Sequence, residues 1–97
     1  MEQITRTFKV YGQDGHRQRE SFCPSTRVVT LSDGSTVELR NSDKTGTNDY
    51  SELVITAANE ATAFEILDGQ IWDGAFENSR VGAIFCVERD EYVTCGK

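Results

Sequence analysis

Along residues 4–11 apolar and polar positions alternate. Ile4, Phe8 and Val10 share one parity and Thr5, Thr7 and Lys9 the other, the period-two pattern of a strand with one buried face. Arg6 interrupts the apolar parity and marks either a sheet edge or a strand end. Gly12-Gln13-Asp14-Gly15 is a turn signal, and the polar run 16–22 reads as a second strand returning along the first. Residues 27–40, RVVTLSDGSTVELR, are the clearest hairpin. A two-residue Asp33-Gly34 loop would scatter the apolar side chains over both faces. A three-residue loop, Ser32-Asp33-Gly34, pairs Val29 with Val37 and Arg27 with Leu39, and puts Val29, Leu31, Val37 and Leu39 on one face. A one-residue slip flips a whole strand, so the pattern selects the three-residue loop, with Gly34 left-handed in a bulge.

Residues 41–49, NSDKTGTND, are a polar loop. A strand follows at 50–56, with Leu53 and Ile55 on one face and Tyr50, Glu52 and Val54 on the other. Thr56 is a candidate helix N-cap, and Glu60 a first-turn acid near the positive end of the helix dipole. The helix is predicted over 57–68, with Ala57, Ala61, Phe64 and Leu67 as its buried stripe and Gly69 as its C-terminal stop. Residues 70–79 fit either a short second helix or an ordered loop. Residues 80–87, RVGAIFCV, are apolar on both parities, which predicts a central strand covered on both sides. Residues 88–91 turn the chain into a final strand at 92–95. Strands, one helical region and then strands predict an α+β fold, a mainly antiparallel sheet with one main helix packed on one face.

The length, 97 residues, and a hydrophobic fraction of 37% suit a single domain with a thin core. No apolar run approaches the ~18 residues of a membrane span, and the opening MEQITRTFKV lacks the layout of a signal peptide. A soluble, cytoplasmic protein is expected. The net charge of −6 is uneven, +1 over residues 1–44 and −7 over 45–97. Such a chain lacks the basic field that neutralises phosphates, so direct nucleic-acid binding is not expected. The acidic half either mimics nucleic acid toward a basic protein or disperses its carboxylates for solubility. Cys23, Cys86 and Cys95 are odd in number and have no CxxC spacing. With His16 the single histidine, they support neither a disulfide framework nor a zinc site. Cys86 and Cys95 fall on neighbouring predicted strands, where a pair of reduced thiols is the plainer expectation. No metal and no cofactor is predicted.

Three segments are candidate binding sites. In His16-Arg17-Gln18-Arg19-Glu20-Ser21, Arg17 and Arg19 offer bidentate donors and His16 an exchangeable proton, as an anion or carboxylate site requires. The same charges suit a solvated edge strand protected from pairing. In the 41–49 loop, Asp43, Lys44 and Thr45 offer polar ligands, although Asp43, Thr45, Thr47 and Asp49 lack the spacing of a calcium loop and Lys44-Thr45-Gly46 the glycines of a phosphate loop. In Trp72-Asp73-Gly74-Ala75-Phe76, Trp72 and Phe76 form either a partner-binding surface or part of a small core. Catalytic motifs are not recognisable. His16 has no nucleophile in a recognised setting, and Cys23, seven residues on, has no orienting third group.

The phrases TFKVYGQDGHRQRESF, ELRNSDKTGTNDYSELVI and DGQIWDGAFENSRVG resemble small uncharacterised proteins carried by bacterial conjugative transposons and related mobile elements. The resemblance covers most of the chain and implies an accessory protein of mobile DNA, with no activity, cofactor or site attached. The leading expectation is a non-enzymatic binding or accessory protein acting through a protein partner. An acidic nucleic-acid mimic that inhibits a host DNA-binding or defence protein is a second. A small-molecule or anion-binding domain built on Arg17, Arg19 and the 41–49 loop is a third.

Overall fold

The computed structural model describes residues 2–12, 27–41, 50–74, 76 and 81–94. Among them, β1 (Ile4–Gly12), β2 (Arg27–Thr30), β3 (Thr36–Asn41) and β4 (Tyr50–Ala57) precede the helix α1 (Glu60–Asp73), and β5 (Val81–Cys86) and β6 (Glu91–Val93) follow it. The strands form one sheet in the order β2-β3-β4-β1-β5-β6, and every neighbouring pair is antiparallel. β4 and β5 therefore run parallel to each other on either side of β1, joined through α1. The fold is α+β, with α1 packed against one face of the sheet.

The hairpin takes the expected register, Val29 opposite Val37 and Arg27 opposite Leu39. Leu31 N–H donates to the Ser35 carbonyl at 2.7 Å, which closes a three-residue loop at Ser32-Asp33-Gly34. Gly34 has φ +92, a region costly for any side chain. The Asp33 carboxylate accepts from Ser35 N–H at 2.9 Å and fixes the turn from within. β4 alternates as read, with Ser51, Leu53, Ile55 and Ala57 buried.

The helix departs from the expected boundaries at both ends. Ala57 is still in β4, opposite Ile4, and Thr56 Oγ1 lies 3.1 Å from Thr5 Oγ1 across the strands. The N-cap is Asn59, whose side chain accepts from Thr62 N–H at 2.8 Å. Asn is at least as good a cap as Thr, and sheet pairing already holds Thr56. At the other end Gly69 lies inside the helix, which continues to Asp73 and is capped at Gly74. A Cβ on Gly74 would stand 2.8 Å from the Gln70 backbone Cα, so the tight exit needs glycine there. The buried stripe is Ala63, Leu67 and Ile71 rather than the one starting at Ala57; Ala61 is exposed. Phe64 packs half-buried, edge-on against Phe8 with ring centroids 5.4 Å apart. Residues 70–73 are thus the last turn of α1.

The core joins Phe8 and Val10 of β1 to Leu39, Leu53, Ile55 and Leu67, with Phe76 and Cys86 closing it. Phe76 N–H donates to the Gln70 carbonyl at 3.0 Å, which satisfies one of the last helical carbonyls and turns the ring inward. Arg6 shares the helix-side parity but lies on an interior strand, not on an edge. β5 pairs with β1 only from Phe8 onward, so Arg6 stands where that ladder has ended. Its Nε meets Glu60 Oε2 at 3.1 Å in the first turn of α1.

Among the described residues β5 is covered on one side only. It lies between β1 and β6, with Ile84 and Cys86 buried on the helix side. Gly82 and Ala83 are exposed at a bulge opposite Val10–Gly12. No described helix is long and apolar enough to cross a membrane.

Candidate binding face

The covering helix leaves the second face of the sheet without a packed element among the described residues. Alternation assigns its side chains. On β1 they are Thr5, Thr7, Lys9 and Tyr11; on β4, Tyr50, Glu52, Val54 and Thr56. β3 contributes Thr36, Glu38 and Arg40, and the register adds Phe85 from β5 and Tyr92 from β6.

Strand pairing sorts these positions into rows that cross the sheet. One row reads Arg40, Glu52, Lys9, Phe85, Tyr92, each opposite the next on the neighbouring strand. Arg40 binds Glu38 at 2.7 Å and Glu52 at 3.5 Å. Its guanidinium holds the Glu38 carboxyl below the ordinary carboxylate value, and Glu38 in turn holds Arg40 more firmly protonated. Lys9 places its Nζ 5.4 Å from the centre of the Tyr50 ring, within cation–π range. Phe85 and Tyr92 pack edge to face, with centroids 5.1 Å apart. In the next row Tyr11 and Tyr50 lie 5.2 Å apart. A third row, Thr30, Thr36, Thr56 and Thr5, holds four threonines on four successive strands.

The face is therefore aromatic at one end and hydroxyl-rich at the other. All three tyrosines of the chain stand on it. Tyr92 is the most open of them, at 67% exposure. The β5–β6 turn is pinned to the sheet by Glu88, whose carboxylate accepts from Thr7 N–H at 2.6 Å and from Thr7 Oγ1 at 3.0 Å. Asp90, at φ 54, completes that turn; aspartate is one of the few residues that tolerate such a backbone. The rings of Phe85 and Tyr92 are thus held on a fixed hairpin.

Of the residues singled out in the sequence, His16, Arg17, Arg19, Asp43, Lys44 and Thr45 lie outside the described residues, as do Cys23 and Cys95. Cys86 is a free, buried thiol of the core. Trp72 and Phe76 do not form one surface. Phe76 is fully buried and offers a partner nothing, whereas Trp72 stays 41% exposed on α1. Among the described residues no three His, Cys, Asp or Glu side chains gather as a metal site would require. Arg6, Arg40 and Arg89 engage Glu60, Glu52 and Glu91 respectively, so several carboxylates of the acidic half are already paired.

Sequence reading separated the strand faces but missed the aromatic end. Tyr11 shares the parity of Lys9, and Tyr50 opposes Leu53 and Ile55, so both were assignable to a non-core face. Only strand order brings Phe85 and Tyr92 beside them. No known family profile, curated protein or solved structure matches the chain.

Proposed function

We propose that this chain is a binding or accessory protein of a mobile element that acts through a protein partner, and that the partner sits on the sheet face opposite α1. The observation that carries the reading is the gathering of all three tyrosines, with Phe85, on the face opposite α1. Tyrosine brings apolar area, few rotatable bonds and a hydroxyl that works at a wet rim, which is why aromatic residues are enriched in protein interfaces. A face meant only for solvent is better served by charge, and this chain has charged residues in plenty.

The test is site-specific photocrosslinking in a bacterial lysate. A photoreactive phenylalanine analogue replaces Tyr92 in one sample and the exposed helix residue Glu65 in another. The expected result is a discrete protein adduct from position 92 and none from position 65. Equal labelling from both positions, or no adduct from position 92, rejects the proposal. The same experiment at low and high salt distinguishes an apolar contact from a charge-driven one.

A further inference from the structure

The charge pattern of the face opposite α1 narrows what would bind there. Lys9 and Glu52 are cross-strand partners, yet the Glu52 carboxylate is engaged by Arg40. Among the described residues Lys9 has no ion pair; its ammonium rests over the Tyr50 ring. It is also only half exposed. A partly desolvated ammonium over the Tyr50 ring, with no ion pair among the described residues, is complementary to a single anion that arrives with an apolar neighbour.

Resting on the protein-partner reading above, we infer that the partner presents an extended segment with a carboxylate at one position and an aromatic or large aliphatic side chain two positions on. The carboxylate meets Lys9 and the apolar side chain rests on the Phe85–Tyr92 ring pair. The spacing follows from the sheet. Lys9, Phe85 and Tyr92 occupy one row on successive strands. With strands about 4.8 Å apart, the midpoint between the β5 and β6 backbones is about 7 Å from the β1 backbone at Lys9, and an extended chain repeats its same-side residues every ~6.7 Å. A polyanion fits worse. Its many phosphates would meet one unpaired cation among the described residues of this face and a net charge of −6 overall.

The probe is a blocked pentapeptide, acetyl-Gly-Glu-Ser-Phe-Gly-amide, titrated into the isotope-labelled full chain and followed by amide NMR. It is taken to about 5 mM, enough to fill most of a site with a Kd of ~1 mM. The expected result is shifts confined to the surroundings of Lys9, Tyr11, Tyr50, Phe85 and Tyr92, weakening as salt is raised. Replacing the peptide's Glu by Gln should weaken binding by about threefold or more. Lys9→Gln should remove that difference, and Lys9→Arg should keep it.

Equal affinity for the Glu and Gln peptides, or an unchanged preference in Lys9→Gln, would overturn the carboxylate assignment. If Tyr92 crosslinking nonetheless succeeded, the protein-partner reading would stand without it. Shifts on α1 instead, or none at all, overturn the site. An oligothymidine that binds the same residues more tightly than the peptide overturns the partner class.

Discussion

The extent of α1 can be tested by the sign of one substitution. Gly69 is an ordinary helix position, ten residues into a fourteen-residue helix. A methyl group there meets no heavy atom within 4 Å, so alanine brings neither clash nor burial. What remains is the backbone entropy that glycine loses on folding and alanine does not, about 0.5–1 kcal/mol in a helix interior. Gly69→Ala should therefore stabilise the protein by that amount, which for a chain of this size raises Tm by about 2–8 °C. Had the helix ended at residue 68 with Gly69 as a left-handed stop, alanine there would cost about 1–2 kcal/mol instead. Gly34→Ala supplies the control. At φ +92 it should be destabilising by about 1–2 kcal/mol although nothing touches the new methyl. The assay is urea unfolding followed by circular dichroism, with the slope m required to stay constant so that the midpoint reports native-state stability. A lower midpoint for Gly69→Ala would refute the reasoning and return the helix end to residue 68.

Two further outcomes follow from the core and the hairpin. Phe76→Ala should cost about 3–5 kcal/mol, since the ring is fully buried, whereas Trp72→Ala, with the indole 41% exposed, should cost clearly less; equal midpoints in urea would place both rings in one environment. The hairpin turn gives a pH effect. Backbone hydrogen bonding from Ser35 lowers the Asp33 carboxyl from its ordinary value of 3.8. The unfolded chain then binds more protons in that range, so this contribution is fully present above the ordinary value and is lost as pH falls through the folded one. Asp33→Asn should flatten the acid limb of the urea midpoint against pH, and an unchanged limb would remove the turn as its source.

How much of this was legible in the sequence depends on whether local chemistry or strand order decided the matter. The hairpin register was legible because two constraints agreed. Only one loop length put Val29 and Leu31 on the same face as Val37 and Leu39, and that loop placed glycine where φ is positive. The strand at β4 and the antiparallel sheet with one helix were legible for the same reason. The helix ends were not, because two caps were available at each. Thr56 and Gly69 satisfy the local rules, and tertiary pairing to Ile4 and Thr5 and the close exit at Gly74 chose the later ones.

The misreading of β5 leads to the functional argument. Its apolar residues on both parities suggested two covering layers. In the fold, Ile84 and Cys86 face the helix while Phe85 belongs to the aromatic end of the open face. A two-sided apolar strand that the described residues cover on one side leaves apolar surface that their core does not use. Tyr92 repeats the pattern on the edge strand, at 67% exposure. Neither residue is separable from an ordinary core residue by composition or by period. Only the six-strand order sets them in one row with Lys9, and that row is where the proposed partner segment is to be sought.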